Sequence, residues 1–343
     1  MRDPEQYNAD MSTKRRWEPM PVKYWSAAGL ILSYWCNARC RSCYLCCGPD
    51  RKKWMTVADA LKFWKELIDA CPHGCRIHLT GGEPFGNWPG LIELARAASE
   101  EGLGPLEKVE TNAFWAIDQR IARDRIGALD EAGMEKITIS ADPYHQEFVP
   151  LDRCRLLAEV ATEILGPARV QVRWRDWLAE GFDTAALNGA EAESFFAEHA
   201  AGGRDRIAGR AADVLAKGLD QKLTSEFADN TCKETLLRSK HVHIDPEGRV
   251  MPGTCAGIVL GRAGRDTIGK IWQRLEGDFA DRPIVGTLAA QGPTGMLAGA
   301  VRAGFQPRLG YAGKCHLCWD LRKWMSARNW HQDELWPSWM YDA

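Results

Sequence analysis

The chain lacks long apolar stretches and any marked excess of charge. No run of about 18 apolar residues occurs, which argues against a membrane-spanning helix. Its 343 residues carry 44 Lys and Arg against 46 Asp and Glu, a net charge of −2. No basic excess therefore points to nucleic acid or an anionic membrane as partner. Residues 1–20 read as a polar, charged lead-in without the apolar core of a secretory signal, so the expected compartment is the cytoplasm. The basic run Lys14-Arg15-Arg16 is short and reads as a solvated tail. Internal repeats and low-complexity tracts are also missing. What the chain has in excess is cysteine and tryptophan, 12 and 15 residues. A secreted disulfide scaffold would be short and loop-rich, so metal or cluster ligation is the better account of most of these thiols. The tryptophans, with Trp324, Trp330, Trp336 and Trp339 near the end, read mainly as packing anchors.

The length allows one large α/β barrel with a small appendage, or two ordinary domains. From about residue 23 to 174, apolar runs alternate with helical stripes. Strands are expected at about 23–35, 76–80, 106–111, 136–140 and 168–174. Helices are expected at about 56–71, 89–102, 117–132 and 151–165, the first opened by the capping pair Thr56 and Asp59. Five strands alternating with helices argue for parallel βα units, whose ligand site lies at the C-terminal strand ends. The residues there carry chemistry. Cys36, Cys40 and Cys43 (C-x3-C-x2-C) follow the first strand, and Gly81-Gly82-Glu83-Pro84 follow the second. Asn112 follows the third, and Ser140 and Asp142 the fourth. Three thiolates in eight residues can wrap one small inorganic body. On a four-iron cubane they leave one iron open for a substrate or cofactor. The glycines let backbone approach a ligand closely, and Glu83 offers an acceptor for a cationic amine. Cys46 and Cys47 are not needed to complete the set. Cys71 and Cys75 read as core.

After residue 225 the composition changes. A hairpin around Pro246-Glu247-Gly248, a short helix at about 267–276, a glycine-rich segment at 291–304 and a closing helix are expected. Cys232, Cys255, Cys315 and Cys318 supply four thiols, enough for a tetrathiolate zinc or a cluster. His241, His243 and His316 are given no ligating role. Gly209-Arg210-Ala211-Ala212 reads as a turn and helix start.

Cys36, Cys40 and Cys43, with Gly81-Gly82-Glu83-Pro84, Thr111-Asn112-Ala113-Phe114-Trp115-Ala116 and Ile139-Ser140-Ala141-Asp142, resemble the radical S-adenosylmethionine superfamily over residues 24–175. The resemblance implies a partial (β/α)6 TIM-like barrel over 21–225, in which the three cysteines hold a [4Fe–4S] cluster. Its open iron would chelate S-adenosylmethionine, and one electron would release a 5′-deoxyadenosyl radical that takes hydrogen from a small-molecule or peptide substrate. Gly81, Gly82 and Glu83 would hold the methionyl amine. Asn112, Ser140 and Asp142 would meet ribose or carboxylate, and Arg173 either reaches the carboxylate or forms a surface ion pair. The family usually has an aromatic residue just before the third cysteine. Ser42 stands there and Tyr44 follows, so either Tyr44 substitutes or adenine packs differently. Residues 226–343 resemble the twitch type of auxiliary-cluster extension, related to SPASM. That implies a small cysteine-rich α+β unit with one auxiliary [4Fe–4S] cluster. Without Cys232 that cluster would present an open iron. An external one-electron donor such as flavodoxin or ferredoxin is implied too. Two alternatives remain: transfer of the 3-amino-3-carboxypropyl group of S-adenosylmethionine, and a non-catalytic iron–sulfur carrier.

Overall fold

The computed structural model describes residues 22–71 and 73–342. The expected lead-in over 1–20, with Lys14-Arg15-Arg16, lies outside them.

Strand β1, Ala27–Ile31, is the buried end of the first apolar run, shorter than the expected 23–35. Helix α1, Val57–Ala70, starts at Thr56, whose hydroxyl accepts from the Asp59 amide at 3.0 Å and donates to the Asp59 carboxylate at 2.7 Å. This is the expected cap. The buried face of α1 is Ala60, Phe63, Trp64 and Leu67. The repeating pattern then continues through β2 (Arg76–Thr80), α2 (Trp88–Glu100), β3 (Leu106–Thr111), α3 (Gln119–Glu131), β4 (Met134–Ile139), α4 (Leu151–Leu165) and β5 (Val170–Val172). Three of these, β2, β3 and α4, fall on the expected residues.

Strands β1 to β5 pair in parallel in chain order. Crossovers of one hand, taken always in the same direction, place every crossover helix on one face. Adjacent crossover helices do pack on one another. That is the singly wound arrangement of an open α/β barrel. Alternate residues of the strands face those helices: Ala28, Leu30, Ile77, Leu79, Val109, Ile137 and Ile139 are buried. The opposite face carries Gly29, His78, Thr80, Lys108 and Glu110.

Beyond β5 come α5 (Arg175–Glu180), α6 (Gly189–Ala201), α7 (Arg210–Val214) and α8 (Lys233–Leu236). The chain then returns to the other edge of the sheet. β6 (His241–Ile244) pairs in parallel with β1, so the sixth parallel strand flanks β1 and not β5. The expected hairpin follows, β6 against β7 (Arg249–Pro252), and β8 (Gly261–Arg262) completes an eight-stranded sheet of order 5-4-3-2-1-6-7-8. Residues beyond 225 thus begin by extending the same sheet.

Helices α9 (Ile268–Asp278), α10 (Val285–Gln291), α11 (Thr294–Arg302) and α12 (Lys314–Ser326) finish the chain. The glycine-rich segment 291–304 is largely helix. Met296, Gly299 and Ala300 of α11 are buried, and that packing overrides the poor helix propensity of glycine. No described helix is long and apolar enough to cross a membrane.

Candidate functional site

The cysteine loop is closed at its neck. The Cys36 amide donates to the Gly48 carbonyl at 3.2 Å, and the Gly48 amide to the Tyr34 carbonyl at 3.2 Å. Between them the chain folds back on itself, with Cys43 N donating to Cys40 O at 3.1 Å. A strap from the α6–α7 connection holds this loop from outside. The Arg210 guanidinium donates to the carbonyls of Cys40 (2.8 Å) and Cys47 (2.7 Å), and its amide to that of Cys43 (3.1 Å). Gly209 has φ +61°, and a Cβ on it would lie 2.6 Å from Tyr44 Cα. Only glycine tolerates both the angle and the approach. Gly209-Arg210 therefore does more than start α7.

The loop forms one wall of a cleft of about 720 Å³, measured to its open mouth. Cys36, Cys40 and Cys43 line it, facing Gly81, Gly82 and Pro84 from the end of β2. Tyr44, Asn112, Ser140 and Arg173 complete the expected lining. Gly82 is required by contact: its amide donates to Ser33 O at 2.8 Å, and a Cβ would overlap the Trp35 carbonyl. Asn112 reaches over the loop, its Nδ2 2.9 Å from Asn37 Oδ1 and 3.6 Å from Cys36 Sγ. Arg173 donates to Asp205 at 2.9 Å while standing in the cleft wall, so it is both ion-paired and available.

Two expected residues stand apart. Glu83 is fully buried and faces β3, where its carboxylate accepts from Phe85 N (3.1 Å), Thr111 Oγ1 (2.9 Å) and Asn112 N (2.7 Å). Burial pushes its pKa up to about 7 against those three donors. The carboxylate fixes the exit of β3, and with it Asn112. Asp142 is likewise fully buried. It accepts from the amides of Tyr144 and His145, both at 3.1 Å, and from His145 Nδ1 at 2.8 Å. Burial alone would raise its pKa, but His145 and Arg173 carry it below the usual carboxylate value.

Among the cleft residues that the sequence does not single out, Glu110 and His145 carry charge. Glu110 lines the cleft and accepts from Thr80 Oγ1 at 2.8 Å and Lys108 Nζ at 2.6 Å. His145 lines it beside Cys40. Burial opposes a charge there, but Asp142 and the Cys40 thiol outweigh it and hold the imidazole well above its ordinary pKa. The spacing Asp142-x-x-His145 after β4 was the available signal.

The thiols themselves differ. Cys43 is carried down to about 6, first by hydrogen bonding from Cys47 against the cost of burial, then by Arg210. Cys36 is pushed up by burial. Three thiols on one wall, with the His145 imidazolium and Arg210 close by, suit an anionic metal–sulfur group.

No family model matches the chain, and no curated protein does. Solved structures do. One is the crystal structure of BtrN in complex with AdoMet and 2-DOIA, with 16% identity and a TM-score of 0.42 over 80% of this chain and 91% of that one. Another is native anSMEcpe with bound AdoMet and Cp18Cys peptide, with 14% identity and a TM-score of 0.43 over 88% and 97%. Likeness this distant assigns no activity to the chain.

The four later thiols also meet. Cys232 at the start of α8, Cys255 after β7, and Cys315 and Cys318 in the first turns of α12 line a second cavity of about 390 Å³. Cations surround it. Arg206 Nη1 lies 3.5 Å from Cys255 Sγ, and the buried Arg322 holds the Ala256 carbonyl and the Tyr341 hydroxyl, both at 2.8 Å. Burial pushes Cys232 up to about 12 and Cys255 to about 11. Four thiols ringed by guanidinium groups fit a thiolate-held metal or cluster. Ala208 lines this cavity, and Arg210 grips the first loop. Two residues of extended chain span at most about 7 Å, so one short strap walls both sites.

Proposed function

We propose that this protein is a radical S-adenosylmethionine enzyme acting on a small-molecule or peptide substrate. The observation that carries the reading is the single cleft in which the thiols of Cys36, Cys40 and Cys43 face Gly81 and Gly82 at the C-terminal strand ends. Those thiolates would hold a [4Fe–4S] cluster. When bound, the cluster supplies one electron to S-adenosylmethionine, giving methionine and a 5′-deoxyadenosyl radical that takes hydrogen from the substrate. The chain's own part is binding, orientation and exclusion of water. Gly81 and Gly82 admit the methionyl group close to backbone. Glu110, the carboxylate in the cleft wall, receives the ammonium, and Arg173 the carboxylate. Asn112 and Ser140 offer polar contacts to ribose, and Tyr44 and Pro84 flank adenine. Glu83 and Asp142 act one step back, positioning Asn112 and His145. His145 and Arg210 balance negative charge at the cysteine loop.

Residues 226–343 would form the auxiliary unit, with Cys232, Cys255, Cys315 and Cys318 holding a second [4Fe–4S] cluster that accepts an electron from the substrate radical; with only Cys255, Cys315 and Cys318 as ligands, its open iron would anchor the substrate instead. An external carrier such as flavodoxin or ferredoxin would supply the reducing electron. Anaerobic turnover with dithionite tests the reading. Release of 5′-deoxyadenosine is expected. Methylthioadenosine in its place would indicate 3-amino-3-carboxypropyl transfer, and no consumption of S-adenosylmethionine would indicate an electron carrier.

A further inference from the structure

The sheet face opposite the crossover helices holds a side-chain cluster outside both cysteine sites. His78 lies on β2, and His241 and His243 on β6. These two strands flank β1. The register sets His78 and His243 level with Gly29 of β1. Because Gly29 has no side chain, imidazoles from both neighbouring strands meet above it. A Cβ there would lie 2.5 Å from His78 Nε2 and 2.7 Å from His243 Nε2. His241 projects from the same face two positions earlier on β6. One ring nitrogen from each of the three lies within 4.8 Å of the other two.

The protonation pattern also fits a ligand set. His243 Nδ1 is 2.6 Å from the Gly253 carbonyl. A carbonyl only accepts, so Nδ1 carries the proton and Nε2 presents a lone pair over Gly29. Metal-bound imidazoles are backed in this way by a carbonyl or carboxylate on the far nitrogen. The Nε2 of His241 is buried with no hydrogen-bond partner, a costly state that a ligated ion relieves. Three imidazoles packed this closely ligate as neutral rings. One cation, Lys108, lies level with His78, but its ammonium is held by Glu110 at 2.6 Å. The proposed radical chemistry uses none of these histidines.

We propose that His78, His241 and His243 form a binding site for a divalent transition metal of the zinc class. Three neutral imidazoles suit that class, and they leave the fourth position to water. The bound ion would tie β6 to β2 across β1. It would thereby fasten the hairpin that lies between Cys232 and Cys255 to the strands that carry the first site. Thr80 and Glu110, which line the cleft, stand one inward position further along β2 and β3, so the ion would sit just beneath the cleft floor.

The test uses untagged full-length protein dialysed against Zn2+, with metal analysis and X-ray absorption at the zinc edge. The expected result is a nitrogen or oxygen shell at about 2.0–2.1 Å, beside any sulfur shell at about 2.3 Å from zinc held by thiols. The His78→Gln/His243→Gln variant should lose about one zinc per chain, and with it the nitrogen shell. Bound zinc with only a sulfur shell, no bound zinc, or a variant that keeps the nitrogen shell would overturn the proposal. If the variant fails to fold, the absorption shell of the wild-type protein decides alone.

Discussion

The two cysteine sites are built in opposite ways. The first draws three thiols from eight consecutive residues, on one loop closed at its neck and strapped by Arg210. It opens into a cleft whose walls mix Gly81, Gly82 and Pro84 with Glu110, Asn112, His145 and Arg173. The second draws four thiols from three separate segments, which only the finished fold brings together, into a smaller cavity ringed by Arg206, Lys314 and Arg322. Three ligands would leave one corner of a four-iron cluster for a reactant, while four ligands would not. On the proposed reading, the first site would take a small molecule and the second would manage electrons or structure.

The sharpest break of that comparison is removal of the first set. The Cys36→Ala/Cys40→Ala/Cys43→Ala variant should abolish 5′-deoxyadenosine formation. Its iron content after anaerobic reconstitution should fall from about eight to about four per chain. Unchanged iron would mean that the loop holds no cluster.

A second test concerns Glu83, which supports the cleft from behind. Its pKa is raised from 4.5 to about 7 by burial. The stability it contributes is therefore fully present below about pH 4.5 and is lost as pH rises through about 7. Relative to Glu83→Gln, the wild-type protein should gain up to about 3 kcal/mol as pH falls across that window, read by denaturant unfolding. Parallel pH profiles for the two proteins would contradict this placement.

The strap is next in size. Arg210→Ala removes two guanidinium–carbonyl bonds from the first loop and should cost about 1.5–3 kcal/mol of stability. Arg210→Lys should restore little of it, because one ammonium cannot reproduce the fork. Full rescue by lysine would show that charge alone matters.

The smallest effect separates the sites electronically. Arg206→Ala takes a cation from beside Cys255 and should lower the reduction potential of the proposed second cluster only. Redox titration that finds both potentials unmoved would remove Arg206 from the second site.

Local features were legible in the chain. The βα alternation, the Thr56 cap, the Pro246-Glu247-Gly248 hairpin and the clustering of Cys36, Cys40 and Cys43 all depend on residues close in sequence. Gly81, Gly82, Asn112, Ser140 and Arg173 reach the cleft because strand ends in parallel βα units share one edge. What was hidden depends on tertiary pairing. β6 lies beside β1, which no alternation pattern announces, so the meeting of His78 with His241 and His243 could not be read. Glu83 and Asp142 sit where the motif puts them, but backbone amides that a sequence does not display consume their carboxylates. Gly209-Arg210 looked like an ordinary helix start because its partners are carbonyls 163 and 170 residues away. The composition of 291–304 shows its glycines but not the burial of Met296, Gly299 and Ala300 that holds the segment largely helical.

The division between a three-thiol site and a four-thiol site is tested most directly by electron paramagnetic resonance of the reduced, reconstituted protein with and without S-adenosylmethionine. In Cys232→Ala/Cys255→Ala/Cys315→Ala/Cys318→Ala, the remaining signal should shift when S-adenosylmethionine is added. In Cys36→Ala/Cys40→Ala/Cys43→Ala, the remaining signal should be indifferent to it. A shift in the second variant and none in the first would contradict the account.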